Sequence, residues 1–108
     1  MLPLSENLSS KRNEAATIII QTKGPLQFLK AGEEMSELTQ AILKSYVKGS
    51  IHTIEARNKI EDELGDVLNT FDTLLAGGYI NLDRINEHRV KKMVKFSKKL
   101  KEIKENIG

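Results

Sequence analysis

The chain lacks cysteine and tryptophan entirely, and the absence of cysteine restricts its chemistry. Without cysteine there is no disulfide framework, no thiolate metal site and no cysteine nucleophile. Any metal ion must therefore be held by oxygen or imidazole ligands. A chain that does not rely on disulfides suits a reducing compartment, and we expect a cytoplasmic protein.

Long apolar runs are absent as well. The longest is Ile18-Ile19-Ile20, whereas a membrane span needs roughly 20 such residues. The N-terminus also has no basic segment followed by an apolar one, so we expect neither secretion nor a membrane partner. A length of 108 residues fits one compact domain, and we predict a single domain over residues 1–108.

The charge is small in total but unevenly distributed. Seventeen Lys and Arg residues against 15 Asp and Glu residues leave a net charge of +2. Residues 33–66 hold eight acids and four bases, a net of −4, whereas residues 84–105 hold nine bases and three acids, a net of +6. Any function has to account for both the acidic middle and the basic C-terminal part.

The apolar residues recur with helical spacing between glycine and proline breakers. A first helix carries Leu4, Leu8, Ala15, Ile18 and Ile19 and ends at Gly24-Pro25. A second runs from Leu26 to about Lys48 and ends at Gly49. The predicted stripe of a third helix is Ile60, Leu64, Val67, Phe71 and Leu74, before Gly77-Gly78. Asn81 can cap a fourth, with the stripe Leu82, Ile85, Met93, Phe96, Leu100, Ile103 and Ile107.

No segment alternates with period two, so we predict an all-α fold of four helices. Four helices joined by short loops can pack as a bundle. The apolar stripes are broad for helices of one small domain, so we expect a second subunit to complete the bundle.

Two pairs of acids lie on the second and third predicted helices. Residues three apart on a helix are neighbours, so Glu34 pairs with Glu37 and Glu63 with Asp66. If the helices form an antiparallel hairpin, residues equidistant from its turn face each other. Residues 37 and 63 share the midpoint 50, and so do residues 34 and 66, so the two pairs of acids meet. Four carboxylates beside an apolar core repel one another unless a cation neutralises them, and oxygen ligands favour Mg²⁺ or Mn²⁺. The alternative is that they are ordinary solvated charges.

These motifs resemble those of the all-α nucleotide pyrophosphohydrolases, the superfamily of MazG-like and phosphoribosyl-ATP pyrophosphohydrolase-like proteins. Its signature, E-E-x-x-E followed by E-x-x-D, is present as Glu33-Glu34-x-x-Glu37, 25 intervening residues, and Glu63-x-x-Asp66. The residues that flank the two motifs also resemble those of the family, from 27 to 32, from 38 to 41 and at 67–68.

The resemblance implies a Mg²⁺-dependent enzyme that cleaves a nucleoside triphosphate between the α and β phosphates, giving a monophosphate and pyrophosphate. It implies that Glu34, Glu37, Glu63 and Asp66 hold the metal, and that the enzyme is a homodimer or homotetramer. We expect Glu33, or one of the ligand carboxylates, to act as general base.

The basic segment is a candidate for binding the substrate phosphates. If the third and fourth helices also form a hairpin, centred between 78 and 79, Lys91 lies level with Asp66 and Lys95 level with Asp62. Lys95 and Lys98 could then both reach phosphates, as could Lys30, one turn before Glu34. The alternative for each lysine is a solubilising surface charge.

Two other functions remain open. Phosphoribosyl-ATP hydrolysis uses the same chemistry, and Lys30-Ala31-Gly32-Glu33-Glu34 resembles that branch too. A non-catalytic helical module could instead bind nucleic acid through residues 84–104. The acidic middle and the single aromatic residue of the basic segment, Phe96, argue against that function.

Overall fold

The structure is a computed structural model that describes residues 5–107. It contains four α-helices: α1 (Glu6–Lys23), α2 (Gln27–Val47), α3 (Ile54–Ala76) and α4 (Leu82–Ile107). A 3₁₀ turn, Gly24–Leu26, joins α1 to α2. No strand occurs among residues 5–107, which confirms the all-α prediction. Leu4, predicted to lie on the first helix, is outside the described residues.

Side-chain caps start three of the helices. Ser5 Oγ accepts a hydrogen bond from Leu8 N (3.3 Å), and Thr53 Oγ1 accepts one from Ala56 N (3.2 Å). Asn81 Oδ1 accepts one from Arg84 N (3.0 Å), which confirms the predicted cap of the last helix. Each cap satisfies a backbone donor that has no partner within its own helix.

Helices α1, α2 and α3 pack together, and the contact between α2 and α3 is the most extensive. The buried apolar residues are mostly small: Ala16 of α1, Ala31 of α2, and Ala56, Val67 and Leu74 of α3. Alanine lets helix backbones approach closely, so α2 and α3 form the hairpin that the sequence predicts. Arg12 of α1 adds an ion pair to Asp72 of α3, at 3.4 Å from Nη1 to Oδ2.

Helix α4 does not pack along any other helix of the described chain. The predicted hairpin of the third and fourth helices, with Lys91 level with Asp66 and Lys95 level with Asp62, is therefore wrong. Gly78, at φ +71°, lies in the turn before α4, and the two helices diverge there. They enclose an open apolar groove of about 510 Å³ between Leu68, Phe71 and Leu75 of α3 and Leu82 and Ile85 of α4.

The molecule is extended as a result. Its radius of gyration is 17.5 Å, whereas a compact chain of this length has about 13 Å. The accessible surface is 8758 Å², against roughly 6,100 Å² for a compact monomer of the same mass. No helix in residues 5–107 combines the length and the apolar character needed to cross a membrane.

Candidate metal centre

Three carboxylates meet where α2 faces α3. Glu34 and Glu37 lie one turn apart on α2, and Glu63 lies opposite them on α3. One oxygen from each carboxylate falls within 4.8 Å of the other two. The hairpin centred near residue 50 thus brings together three of the four acids of the two motifs.

Two of these side chains are buried and incompletely bonded. Glu34 and Glu63 are each only 7% exposed, whereas Glu37 is exposed. In both buried carboxylates Oε2 has no hydrogen-bond partner. A buried charged oxygen without a partner is costly, so two of them in one carboxylate cluster favour a bound cation or a further donor that residues 5–107 do not supply.

A lysine one turn earlier on the same helix pairs with each buried glutamate. Lys30 Nζ lies 2.7 Å from Glu34 Oε1, and Lys59 Nζ lies 2.7 Å from Glu63 Oε1. The hydrogen bond to Glu34 raises the pKa of Lys30, and the one to Glu63 raises the pKa of Lys59. Both ammonium groups are therefore fully charged at neutral pH.

Glu37 has no such partner in the cluster. The negative charge of Glu34, followed by partial desolvation and the charge of Glu63, raises the pKa of Glu37. The shift is the expected consequence of like charges held close together. The neighbouring carboxylates thus oppose ionisation of Glu37.

An open cleft of about 680 Å³ lies beside the cluster, between α1, α2 and α3. Glu34 reaches both the cluster and the cleft. Asp66, Glu33 and Lys30 also line the cleft, and Lys30 Nζ lies 3.9 Å from Glu33 Oε2. Asp66 is exposed and is not one of the three clustered carboxylates. The polar residues Gln27, Asn69, Thr70 and Thr73 line the same cleft.

The lysines of α4 do not reach this place within the described chain. Lys91, Lys95 and Lys98 are exposed, and none of them lines the cleft. Lys91 instead borders a shallow groove at the start of α4, with Arg84 and His88. Of the four lysines predicted to bind phosphate, only Lys30 is at the cleft.

The donor set fits a hard divalent cation. It consists of carboxylate oxygens alone, two of them buried and without a partner, and it lies at the edge of a cleft large enough for a small ligand. Oxygen ligands of this kind suit Mg²⁺ or Mn²⁺ better than Zn²⁺. Their role as ligands remains a prediction.

The family model described as MazG nucleotide pyrophosphohydrolase domain matches residues 27–101. The chain belongs to the MazG family. The match covers α2, α3 and most of α4, so it includes both acidic motifs and the basic helix. Comparisons with curated proteins and with solved structures found no significant match.

Membership of the MazG family supports a hydrolase acting on nucleotides, and metal dependence is typical of that family. The MazG-like resemblance of the two motifs is therefore confirmed at the level of the family. Within the described part of this MazG domain, the carboxylates of Glu34, Glu37 and Glu63 lie close enough together to hold a metal ion.

Sequence reasoning missed Lys59 and the two threonines of the cleft, Thr70 and Thr73. Lys59 is four residues before Glu63, as Lys30 is four before Glu34, so the spacing was available as a signal. No spacing rule marks Thr70 and Thr73, because the cleft also needs α1, whose position the motifs do not define.

Proposed function

We propose that this MazG-family protein is a Mg²⁺-dependent nucleoside triphosphate pyrophosphohydrolase. It would cleave ribo- or deoxyribonucleoside triphosphates between the α and β phosphates, giving the monophosphate and pyrophosphate. The observation that carries the proposal is the pair of buried, unpartnered oxygens of Glu34 and Glu63, two carboxylates that cluster with Glu37 beside a cleft of about 680 Å³.

Glu34, Glu37 and Glu63 would hold the ion, and Asp66 would add a fourth carboxylate from the cleft side. When bound, Mg²⁺ neutralises phosphate oxygens and lowers the pKa of water. The protein's own contribution is to hold the carboxylates rigidly, because Glu34 and Glu63 are buried in a packed helix pair.

The groups lining the cleft divide the remaining tasks. Lys30 would bind phosphate oxygens of the substrate, since its ammonium group is charged and lies at the cleft. Glu33, or one of the ligand carboxylates, would accept a proton from the attacking water. Glu33 suits this role because it borders the cleft without belonging to the three-carboxylate cluster. Asn69 would donate or accept hydrogen bonds to the base or sugar.

We also propose that the protein works as a homo-oligomer in which a second copy covers α4. The chain exposes roughly 2,700 Å² more surface than a compact monomer of its mass, whereas a standard interface buries about 800 Å² per partner. Every apolar residue of the α4 stripe is exposed, and the stripe continues into the groove between α3 and α4.

The charge distribution favours a second copy of this chain as the partner that covers α4. The segment containing α4 has a net charge of +6, so pairing one α4 alongside another would bring like charges together. The acidic segment 33–66, at −4, is the complementary surface on the same chain. Docking of α4 onto α2 and α3 of a partner would also bring Lys91, Lys95 and Lys98 towards a site that they do not reach within their own chain.

The experiment for the catalytic proposal is pyrophosphate release from a panel of ribo- and deoxyribonucleoside triphosphates and phosphoribosyl-ATP, with Mg²⁺ and with EDTA. We expect release that requires Mg²⁺, with a monophosphate as the second product. Release from phosphoribosyl-ATP alone would replace the proposed substrate class. Salt-dependent nucleic-acid binding without any pyrophosphate release would favour the non-catalytic module instead.

A further inference from the structure

Each buried glutamate of the cluster is neutralised by a lysine of its own helix in the same way. Lys30 reaches Glu34 from one turn earlier on α2, and Lys59 reaches Glu63 from one turn earlier on α3, both at 2.7 Å. The lysines are half-exposed or more, at 51% and 64%, so their long side chains lean over the cluster from solvent. The two ion pairs flank the point where the carboxylates converge.

The lysines supply charge to the cluster but leave its hydrogen bonding incomplete. Together they carry two positive charges, the same as one divalent cation. Each contacts only Oε1, and Oε2 of both glutamates stays buried without a partner. An ion bound among the carboxylates would need these oxygens, and it would repel both ammonium groups at close range.

We propose that Lys30 and Lys59 are exchangeable counter-ions that stabilise the metal-free carboxylate cluster and are displaced when Mg²⁺ binds. The proposal rests on the metal site of the proposed function and adds that the two lysines regulate metal binding at that site. The lysines stabilise the metal-free protein and weaken its affinity for the metal. Metal binding and the two ion pairs therefore compete for the same carboxylates.

The two lysines differ in the surroundings that they enter once displaced. Lys30 lines the cleft and lies 3.9 Å from Glu33, so it remains at the cleft when it leaves Glu34. Lys59 is not among the residues that line the cleft, and its release leads only to solvent. Lys59 is thus a counter-ion alone, whereas Lys30 becomes available to a phosphate once the metal has arrived.

The test is Mg²⁺ titration calorimetry without nucleotide on the full chain and four variants. Lys30→Met and Lys59→Met remove the charge and keep the side-chain length, and Lys59→Arg keeps the charge. Lys44→Met, on α2 and outside the cluster, is the control for the loss of one positive charge. We expect Lys30→Met and Lys59→Met each to bind Mg²⁺ about 2- to 10-fold more tightly, and Lys44→Met and Lys59→Arg to stay within about twofold of wild type.

Thermal unfolding provides the second measurement. In EDTA, we expect Lys59→Met to unfold about 2 to 5 °C below wild type, because Glu63 then has no partner on either oxygen. In saturating Mg²⁺ this difference should shrink, since wild type has then lost the ion pair too.

The possible results separate this proposal from the proposed function. If wild type binds Mg²⁺ and both Met variants match Lys44→Met, the counter-ion role is overturned and the metal site stands. Weaker Mg²⁺ binding in Lys59→Met also overturns it, since the lysine would then organise the carboxylates for the ion. Tighter binding without any nucleotide hydrolysis would support the counter-ion role and overturn the proposed activity. A wild type that binds no Mg²⁺ overturns both.

Discussion

In most proteins charged side chains are exposed and large apolar side chains are buried. The α2–α3 hairpin departs from the first part of this rule, and helix α4 departs from the second. The hairpin buries two carboxylates, Glu34 and Glu63, whereas α4 leaves Phe96, Leu100 and Ile103 exposed. Buried charges and exposed apolar faces are the two informative departures from the general rule. The first supports the proposed cation and the second supports the proposed second copy, so the two regions bear on different parts of the proposed function.

The largest expected effect concerns the buried charges. Replacing Glu63 with Gln removes a negative ligand from the cluster, and we expect pyrophosphate release to fall by about 100-fold or more at fixed Mg²⁺. Asp62→Asn is the matched control, because it removes the same charge from the adjacent exposed residue. We expect Asp62→Asn to stay within about twofold of wild type. Equal losses in the two variants, with helicity retained, would contradict a specific role for Glu63.

The next prediction concerns the exposed apolar face of α4. Phe96→Glu places a charge on the α4 stripe, and we expect the dissociation constant of self-association to rise by about 30-fold or more. Val94→Glu also replaces an apolar side chain with a charged one on the same helix, but away from the stripe. It should change the dissociation constant by less than about threefold. Sedimentation equilibrium measures both. A wild-type chain that stays monomeric at high concentration would refute the second-copy proposal.

A smaller difference should separate the acids within the site. Asp66 is exposed and lies outside the three-carboxylate cluster, whereas Glu63 is buried within it. We expect Asp66→Asn to weaken Mg²⁺ binding by about 10-fold and Glu63→Gln by about 100-fold, as measured by calorimetry. If Asp66→Asn has the larger effect, Asp66 is a primary ligand and must move into the cluster.

The smallest expected effect is that of Glu37→Gln on stability. This substitution removes a proposed metal ligand, but it should stabilise the metal-free protein. The pKa of Glu37 is raised in the folded protein, so its contribution to stability is full below its unfolded pKa of about 4.5 and is lost as the pH rises through the folded value. Glu37→Gln removes this loss. We expect the metal-free variant to unfold about 1 to 3 °C above wild type at pH 7, with the gain vanishing near pH 4. Thermal scans in EDTA across that range check the sign, and Glu61→Gln is the exposed control.

The sequence predicts the helices well because periodicity and breakers are local signals. The breaks at Gly24-Pro25 and Gly49 agree with the ends of α1 and α2. The third helix begins earlier than its apolar stripe, since Thr53 caps it while Ile60 is the first residue of the stripe. A capping residue defines a helix start better than the first large apolar side chain does.

Symmetry about a turn predicted one pair of helices correctly and the other wrongly. The turn near residue 50 joins two helices whose small residues pack, so three of the four acids meet. The turn near residue 78 has equally good breakers, but no helix of the described chain covers the apolar face of α4. A turn signal shows that the chain can fold back, and only complementary surfaces on both helices make it do so. The positions of Lys91, Lys95 and Lys98 could not be derived for this reason.

The short connection between α2 and α3 also favours early formation of this hairpin. Both halves of the carboxylate cluster lie within one hairpin, so its contacts are close in sequence and form quickly. On a nascent chain, this hairpin leaves the ribosome before α4 does. The proposed ion site can thus form before the proposed surface between two copies is available. Assembly would then start from subunits that are already able to take up their metal.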